Sequence, residues 1–248
     1  MPGRGQRLSL CMIVRDEQQN LSECLPGIAR LFDEIIVVDT GSTDATKEVA
    51  RKHGATVVHF PWKDDFSAAR NETPRHATGD YIFWLDADDR IDADNAKRLR
   101  TLFASLDGGL QGYMMTTVCS LPHRGSEPLN LSHLRLFRAS PEVGWRHRIH
   151  EQILSSVQQL GYGIFETEIA IHHTGYKGSA LWHRKLNRDL RLCRLEYAES
   201  PRNPVVLFNF GITFLRLGDF SGGLETVLTD LERFPERSDP AKVIDVVQ

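Results

Sequence analysis

The stretch from Asp80 to Asp89 ends an apolar and aromatic run, Tyr81 to Leu85, in three carboxylates within four positions: Asp86, Asp88 and Asp89. Carboxylates this closely spaced repel one another unless a cation neutralises them. Hard oxygen ligands on a loop suit Mg²⁺ or Mn²⁺, shared with the phosphates of a ligand. Three other readings compete. An isolated Asp-x-Asp is most often a solvated loop. A calcium loop of the EF-hand type fails on spacing, because counting from Asp86 the sixth residue is Ile91 and the twelfth is Lys97, where glycine and glutamate are required. The acid pair of a glycoside hydrolase normally comes from separate strands across a cleft.

What positions these acids decides between the readings. The run 81–85 is too short for a helix and is bounded by Gly79-Asp80, so it reads as a buried strand with the acids just past its carboxyl end. In an open parallel α/β sheet, ligands sit in the crevice at those ends. The preceding chain supplies such a sheet. Leu8 to Val14 is an apolar strand running into Arg15-Asp16-Glu17, and 20–31 carries Leu21, Cys24, Leu25, Ile28 and Leu31 at helical spacing. Glu34 to Asp39 is a β-branched strand that again ends in an acid, and Thr40 to Asp44 offers capping groups for a helix over 45–53 that Gly54 closes. A third strand is expected over 55–60. A helix over 66–77 comes next, in which Pro74 predicts a kink or a late start. Asp92 is placed to cap a helix over 93–106. Strand and helix in alternation predict a doubly wound parallel sheet.

Beyond residue 106 the pattern changes. Segments 111–118, 131–138, 145–154 and 165–172 read as strands without intervening helices, so this half is expected to be antiparallel or mixed. The segment from Pro122 to Pro128 has the composition of a loop that closes over a ligand. A basic amphipathic helix spans 179–199, then Pro201 and Pro204 mark a boundary. Residues 203–236 resemble one tetratricopeptide repeat, with Gly223 where its second helix normally has alanine.

Composition narrows the class. With 248 residues, 41% hydrophobic and 25% charged, the chain has the makeup of a soluble globular protein. A net charge of −3 gives no general attraction to nucleic acid or anionic membrane. Cys11, Cys24, Cys119 and Cys193 lie far apart with no Cys-x-x-Cys spacing, which fits a reducing cytoplasm. No stretch approaches the apolar length of a membrane span, although peripheral attachment remains open.

Four segments occur in order: Leu10 to Glu17, Val37 to Asp44, Phe66 to Asn71, and Leu85 to Asp88. Together they resemble the family-two glycosyltransferases of GT-A fold, in the branch that carries tetratricopeptide repeats after the catalytic domain. The resemblance covers roughly residues 8–176 and implies an α/β GT-A catalytic domain over 1–178, a mixed sheet flanked by helices, with a helical, repeat-like appendage over 179–248. It implies a nucleotide-diphosphate sugar as donor and Mn²⁺ or Mg²⁺ as cofactor. Val14 falls in its donor-binding set; Asp39 matches the acid that binds nucleobase or ribose, although a helix-capping turn is the alternative. Arg70 matches a basic residue along the nucleotide, with a surface ion pair as the alternative. Asp86 matches the acid near the ribose and Asp88 the metal ligand. Asp89 is either a support for these or solvated.

For the general base, the resemblance points to the dense polar segment from Trp145 to Ile153: Glu151 first, His150 second, against a salt bridge from Glu151 to Arg146 or Arg148. His173, in the segment 171–176, is the histidine placed on the metal. The expected activity is inverting transfer from a UDP-sugar to a saccharide, lipopolysaccharide or peptide acceptor. A nucleotidyltransferase is a rival, opposed by Arg15-Asp16-Glu17 where a Gly-rich loop is usual. An inactive binding module with a repeat docking surface is another.

Overall fold

The computed structural model describes residues 5–119, 128–175, 179–218, 221–223 and 225. Within it the chain divides into two compact units. The first comprises the chain up to Lys63 together with Ala68–Trp145 and Ile153–Gly175; the second comprises Asp64–Ser67, Arg146–Gln152 and the chain from Tyr176 onward.

In the first unit, β1 (Leu8–Val14), α1 (Gln18–Ile28), β2 (Glu34–Asp39), α2 (Thr46–Lys52) and β3 (Thr56–His59) alternate as expected. α3 (Phe66–His76), which starts at the end of the second unit's 64–67 segment, is followed by β4 (Tyr81–Trp84), a two-residue β5 (Asp89–Arg90) and α4 (Ala93–Ser105). β6 (Gln111–Cys119), β7 (Leu129–Arg138), α5 (Leu154–Gln159) and β8 (Gly163–His173) complete the unit. The sheet order is β3-β2-β1-β4-β7-β6-β8-β5. The first four strands are parallel; β4 with β7, β7 with β6, and β8 with β5 are antiparallel. The mixed second half is thus as expected. The segment 120–127, which holds most of the expected closing loop, lies outside the described residues.

Period-two alternation sorts the strand residues onto two faces. Leu10, Met12, Val14, Val37 and Phe83 join one core with α1 and α4, while Cys11, Ile36, Ile82 and Trp84 join the other with Trp145 and Val157. Phe32, Phe83 and Phe103 form an aromatic trio, with centroid separations of 5.4–6.1 Å. The register pairs Val14 with Asp39 at the ends of β1 and β2, while β4 stops at Trp84 opposite Cys11, so the chain past it runs alongside the last residues of β1. The acids therefore emerge beside the ends of β1 and β2.

Pro74 neither delays nor shifts α3, which begins at Phe66. Pro74 has no N–H to give the Arg70 carbonyl four residues back. The Thr73 hydroxyl donates to that carbonyl instead, at 2.8 Å. Asp92 caps α4 by accepting from the Asn95 amide at 2.8 Å.

The expected strand over 145–154 is not there. Only the backbones of Arg146 and Gln152 pair, and α5 starts at Leu154. His147 (φ 78°) and His150 (φ 54°) are left-handed, which breaks an extended run. Trp145, Ile149 and Ile153 are buried at a spacing that a strand would also place on one face, so burial alone does not distinguish a strand from this loop.

In the second unit, α6 (Ser179–Glu199) and α7 (Pro204–Arg216) pack together, with Asn203 capping α7 and Cys193 beside Thr213. A Cβ at Gly223 would come 2.7 Å from the Leu215 side chain and 3.0 Å from the Gly211 carbonyl, so that close packing takes glycine where the repeat normally has alanine. The remainder of the repeat-like segment lies outside the described residues. Among the described residues no helix is long and apolar enough to cross a membrane.

Gly79 sits where β4 approaches β1, and an added Cβ would meet the Ser9 side chain and come 2.8 Å from the Ser9 backbone nitrogen. Gly79→Ala should therefore destabilise the first unit by about 1–3 kcal/mol, read as a lower urea midpoint with an unchanged slope.

Candidate functional site

The three acids occupy one tight turn with three different environments. β4 ends at Trp84, and the Asp89 amide donates to the Asp86 carbonyl at 3.1 Å, closing the turn. Asp89 is fully buried. Its carboxylate accepts from the Asp86 amide (3.0 Å), from Arg135 Nη1 (3.0 Å) and from His173 Nδ1 (2.9 Å). The β5–β8 ladder sets that last contact by pairing Asp89 with His173 directly. The Asp88 carbonyl accepts from both the amide and the hydroxyl of Thr174, at 2.9 and 2.8 Å, which fixes Asp88 against the end of β8.

Two arginines balance the acids. Arg70 Nη2 donates to Asp86 at 3.0 Å, and Arg135 pairs with Asp89 with side chains only 2% and 0% exposed. Arg135 also donates to Thr117 Oγ1 at 2.9 Å. Both guanidiniums pack on the Trp84 indole, 3.8 Å from its ring centre for Arg135 and 4.4 Å for Arg70. Burial pushes the Asp86 carboxyl up, but Arg70 and then Arg135 outweigh it and hold the group well below the usual carboxylate range. For His173, burial favours the neutral ring, yet the Asp89 hydrogen bond and the surrounding acids raise its pKa above the ordinary value. Burial, reinforced by Arg135, pushes the His133 imidazole down to about 3.

The remaining geometry fits a divalent cation. Ligand atoms of Asp86, Asp88, Asp89 and His173 all lie within 4.8 Å of one another. With Nδ1 tied to Asp89, His173 has Nε2 as its ligand atom, the arrangement in which a carboxylate orients a metal-binding imidazole. Gly175 keeps the space clear: a Cβ there would overlap the Asp88 carboxylate and lie 2.7 Å from His173 Nε2. Asp88 and His173 are the residues that would hold the ion, with Asp86 beside them and Asp89 behind.

Val14 and Asp39 lie side by side at the ends of β1 and β2. The Val14 carbonyl accepts from the Thr40 amide and hydroxyl at 2.9 and 3.1 Å. Asp39 is buried, and its carboxylate accepts from the amides of Gly41 and Ser42 at 3.1–3.2 Å. Gly41, at φ 112°, supplies the left-handed residue this turn needs. Arg70 is buried rather than at the surface. His150 and Glu151 belong to the second unit, in the segment closed by the Arg146–Gln152 backbone pair.

Arg135, Trp84 and Gly175 went unrecognised in the sequence. Arg135 left a signal: an arginine between Leu134 and Leu136, in a strand buried on both faces, demands a buried anion. Gly175 left none, because its role depends on atoms at position 88.

The model of the family described as glycosyl transferase family 2 matches residues 9–148. A TPR repeat-containing protein of Synechococcus elongatus is 34% identical over 221 residues, covering 86% of this chain and 53% of that protein. The SPbeta prophage-derived glycosyltransferase SunS of Bacillus subtilis is 27% identical over 248 residues, covering 95% of this chain and 56% of its own length. The chain thus spans about half the length of these curated relatives. Among solved structures, the mannosyltransferase PcManGT of Pyrobaculum calidifontis, in complex with GDP-Man and Mn²⁺, shares the fold at a TM-score of 0.57 and 17% identity, over 95% of this chain and 76% of that one.

Asp89→Asn removes the anion that Arg135 was buried against and should cost about 3–5 kcal/mol in urea unfolding. Asp88→Asn relieves repulsion within the acidic turn and should stay within about 1 kcal/mol of the parent. A His133→Asn comparison tests pH. The folded-state pKa is depressed, so the neutral ring's contribution is fully present above pH 6.5 and is lost as pH falls toward about 3. The stability difference between parent and variant should shrink by about 1–2 kcal/mol from pH 7 to pH 5.

Proposed function

The chain belongs to glycosyl transferase family 2, and we propose that it transfers a sugar from a nucleoside-diphosphate donor to a nucleophilic acceptor with inversion. The observation that carries this reading is the cluster of Asp86, Asp88 and His173 around a space that Gly175 leaves open. PcManGT, of the same fold, is described with a nucleotide sugar and Mn²⁺, which supports the donor class and the ion.

In this reading Asp88 and His173 would hold Mn²⁺ or Mg²⁺, and Asp89, engaging His173 Nδ1, would leave Nε2 as the ligand atom. A cation bound there supplies positive charge to the departing diphosphate. Asp86, kept ionised by Arg70 and Arg135, is placed for the donor's ribose. Val14 and the 39–42 turn take the nucleobase end, Asp39 acting at least partly through the turn amides it holds. Arg70 orients Asp86 and lies along the nucleotide. Glu151 takes the proton of the acceptor nucleophile, with His150 as the second candidate. The donor is a UDP-sugar and the acceptor a saccharide, lipopolysaccharide or peptide. The Synechococcus relative's name supports reading 203–236 as one tetratricopeptide repeat.

Calorimetric titration of UDP, GDP and dTDP with Mn²⁺ tests the donor end. At least one should bind only with the metal, and Asp88→Ala should weaken that binding about tenfold or more. No metal-dependent binding by any of them would remove the reading. Glu151→Gln should lower turnover roughly 10²- to 10⁴-fold with donor affinity kept. Equal donor hydrolysis by the parent and Asp88→Ala would instead favour an inactive module.

A further inference from the structure

The segment 146–152 carries the two base candidates, yet it has no ladder of its own beyond the single Arg146–Gln152 backbone pair. Two of its seven residues, His147 and His150, sit in the left-handed region, a conformation that persists in non-glycine residues only where surroundings over-determine it. Within the second unit, α6 and the 64–67 segment both contribute to those surroundings. Glu196 on α6 is a carboxylate on the buried side of that helix, one turn beyond Leu192 and Cys193. Its Oε1 lies 2.7 Å from His147 Nδ1, and its Oε2 accepts from the Arg148 amide at 3.1 Å. Glu199, one turn on, accepts from the Arg148 guanidinium at 2.5 and 3.1 Å. Arg148 also donates to the Asp64 carbonyl, while its own carbonyl accepts from the Phe66 amide. Arg191 then pairs with Asp64.

We propose that Glu196 is a positioning residue: through His147 and the Arg148 amide it fixes the backbone that presents His150 and Glu151. A carboxylate serving one ring nitrogen and one main-chain amide, both next to a left-handed residue, sets loop shape rather than helix stability. Glu199 adds a second hold at the exposed rim. The helix 179–199 thereby shapes the segment that carries the two base candidates. This rests on the reading of Glu151 or His150 as the base.

The test compares Glu196→Ala, Glu196→Gln and the parent for donor turnover in the full chain. Gln keeps an acceptor for the Arg148 amide, and its Nε2–H₂ donates to His147 Nδ1 once the ring carries its proton on Nε2. Glu196→Ala should lower kcat roughly 10- to 100-fold with donor KM unchanged, and Glu196→Gln should recover most of it. Turnover by Glu196→Ala within about twofold of the parent, a parallel loss of donor binding, or no recovery by Gln would each overturn the proposal. Hydrogen exchange separates this from failure of the base assignment. Amides 147–152 should exchange about tenfold faster in Glu196→Ala with 9–14 unchanged. If Glu151→Gln and His150→Gln both turn over normally while that acceleration is seen, the assignment of the base has failed and the hold by Glu196 stands.

Discussion

A carboxylate with no access to water must be compensated in place, and Asp89 imposes that requirement on the rest of the first unit. Three donors from three elements converge on it: the turn amide of Asp86, the Arg135 guanidinium from β7, and the His173 ring from β8. Each brings a consequence. The amide shapes the turn that aims Asp86 and Asp88. The guanidinium lets a second charge be buried beside the first, with Trp84 as its apolar face. The ring is turned so that Nδ1 meets Asp89 while Nε2 lies beside Gly175. A neutral residue at 89 would leave the buried Arg135 charge without its partner and loosen the turn and the ring that this carboxylate holds.

The parallel half of the fold was legible because its strands obey a simple rule: apolar runs of strand length, each ended by an acid or a turn. Leu8–Val14, Glu34–Asp39 and Tyr81–Trp84 show it directly. The acids at 86 and 88 were legible for the same reason, standing immediately past a strand end. The segment 145–154 was misread because Trp145, Ile149 and Ile153 would share one face of a strand as readily as they anchor a loop, and the left-handed residues His147 and His150 that break the strand leave no mark in the sequence. Asp89 could not be separated from a solvated acid without knowing that an arginine 46 positions later would reach it. Asp39 was open between two roles, and its geometry shows why: a carboxylate at a strand end capping its own turn looks the same in sequence whether or not a ligand binds beside it.

The division of the chain into units does not respect its linear order. Two short internal segments, 64–67 and 146–152, associate with the C-terminal helices. Ion pairs of Asp64 with Arg191 and Arg148 with Glu199, and a hydrogen bond between His147 and Glu196, join them. A basic helix face that looks solvated in sequence is therefore engaged, Arg188 packing its guanidinium on the Phe66 ring, 4.8 Å from its centre. Sequence periodicity identifies such a helix but not its partners, because those of Arg188 and Arg191 lie more than a hundred residues upstream.

The contacts that neutralise the acidic turn span 46 residues to Arg135 and 84 to His173. Closing loops of that length is entropically costly and slow relative to local structure. During synthesis, the parallel strands can assemble while the acids still lack their compensating groups, and the corner is completed only when the last strand of the sheet has left the ribosome. The finished arrangement of that corner thus reports that the whole first unit has been made and correctly threaded.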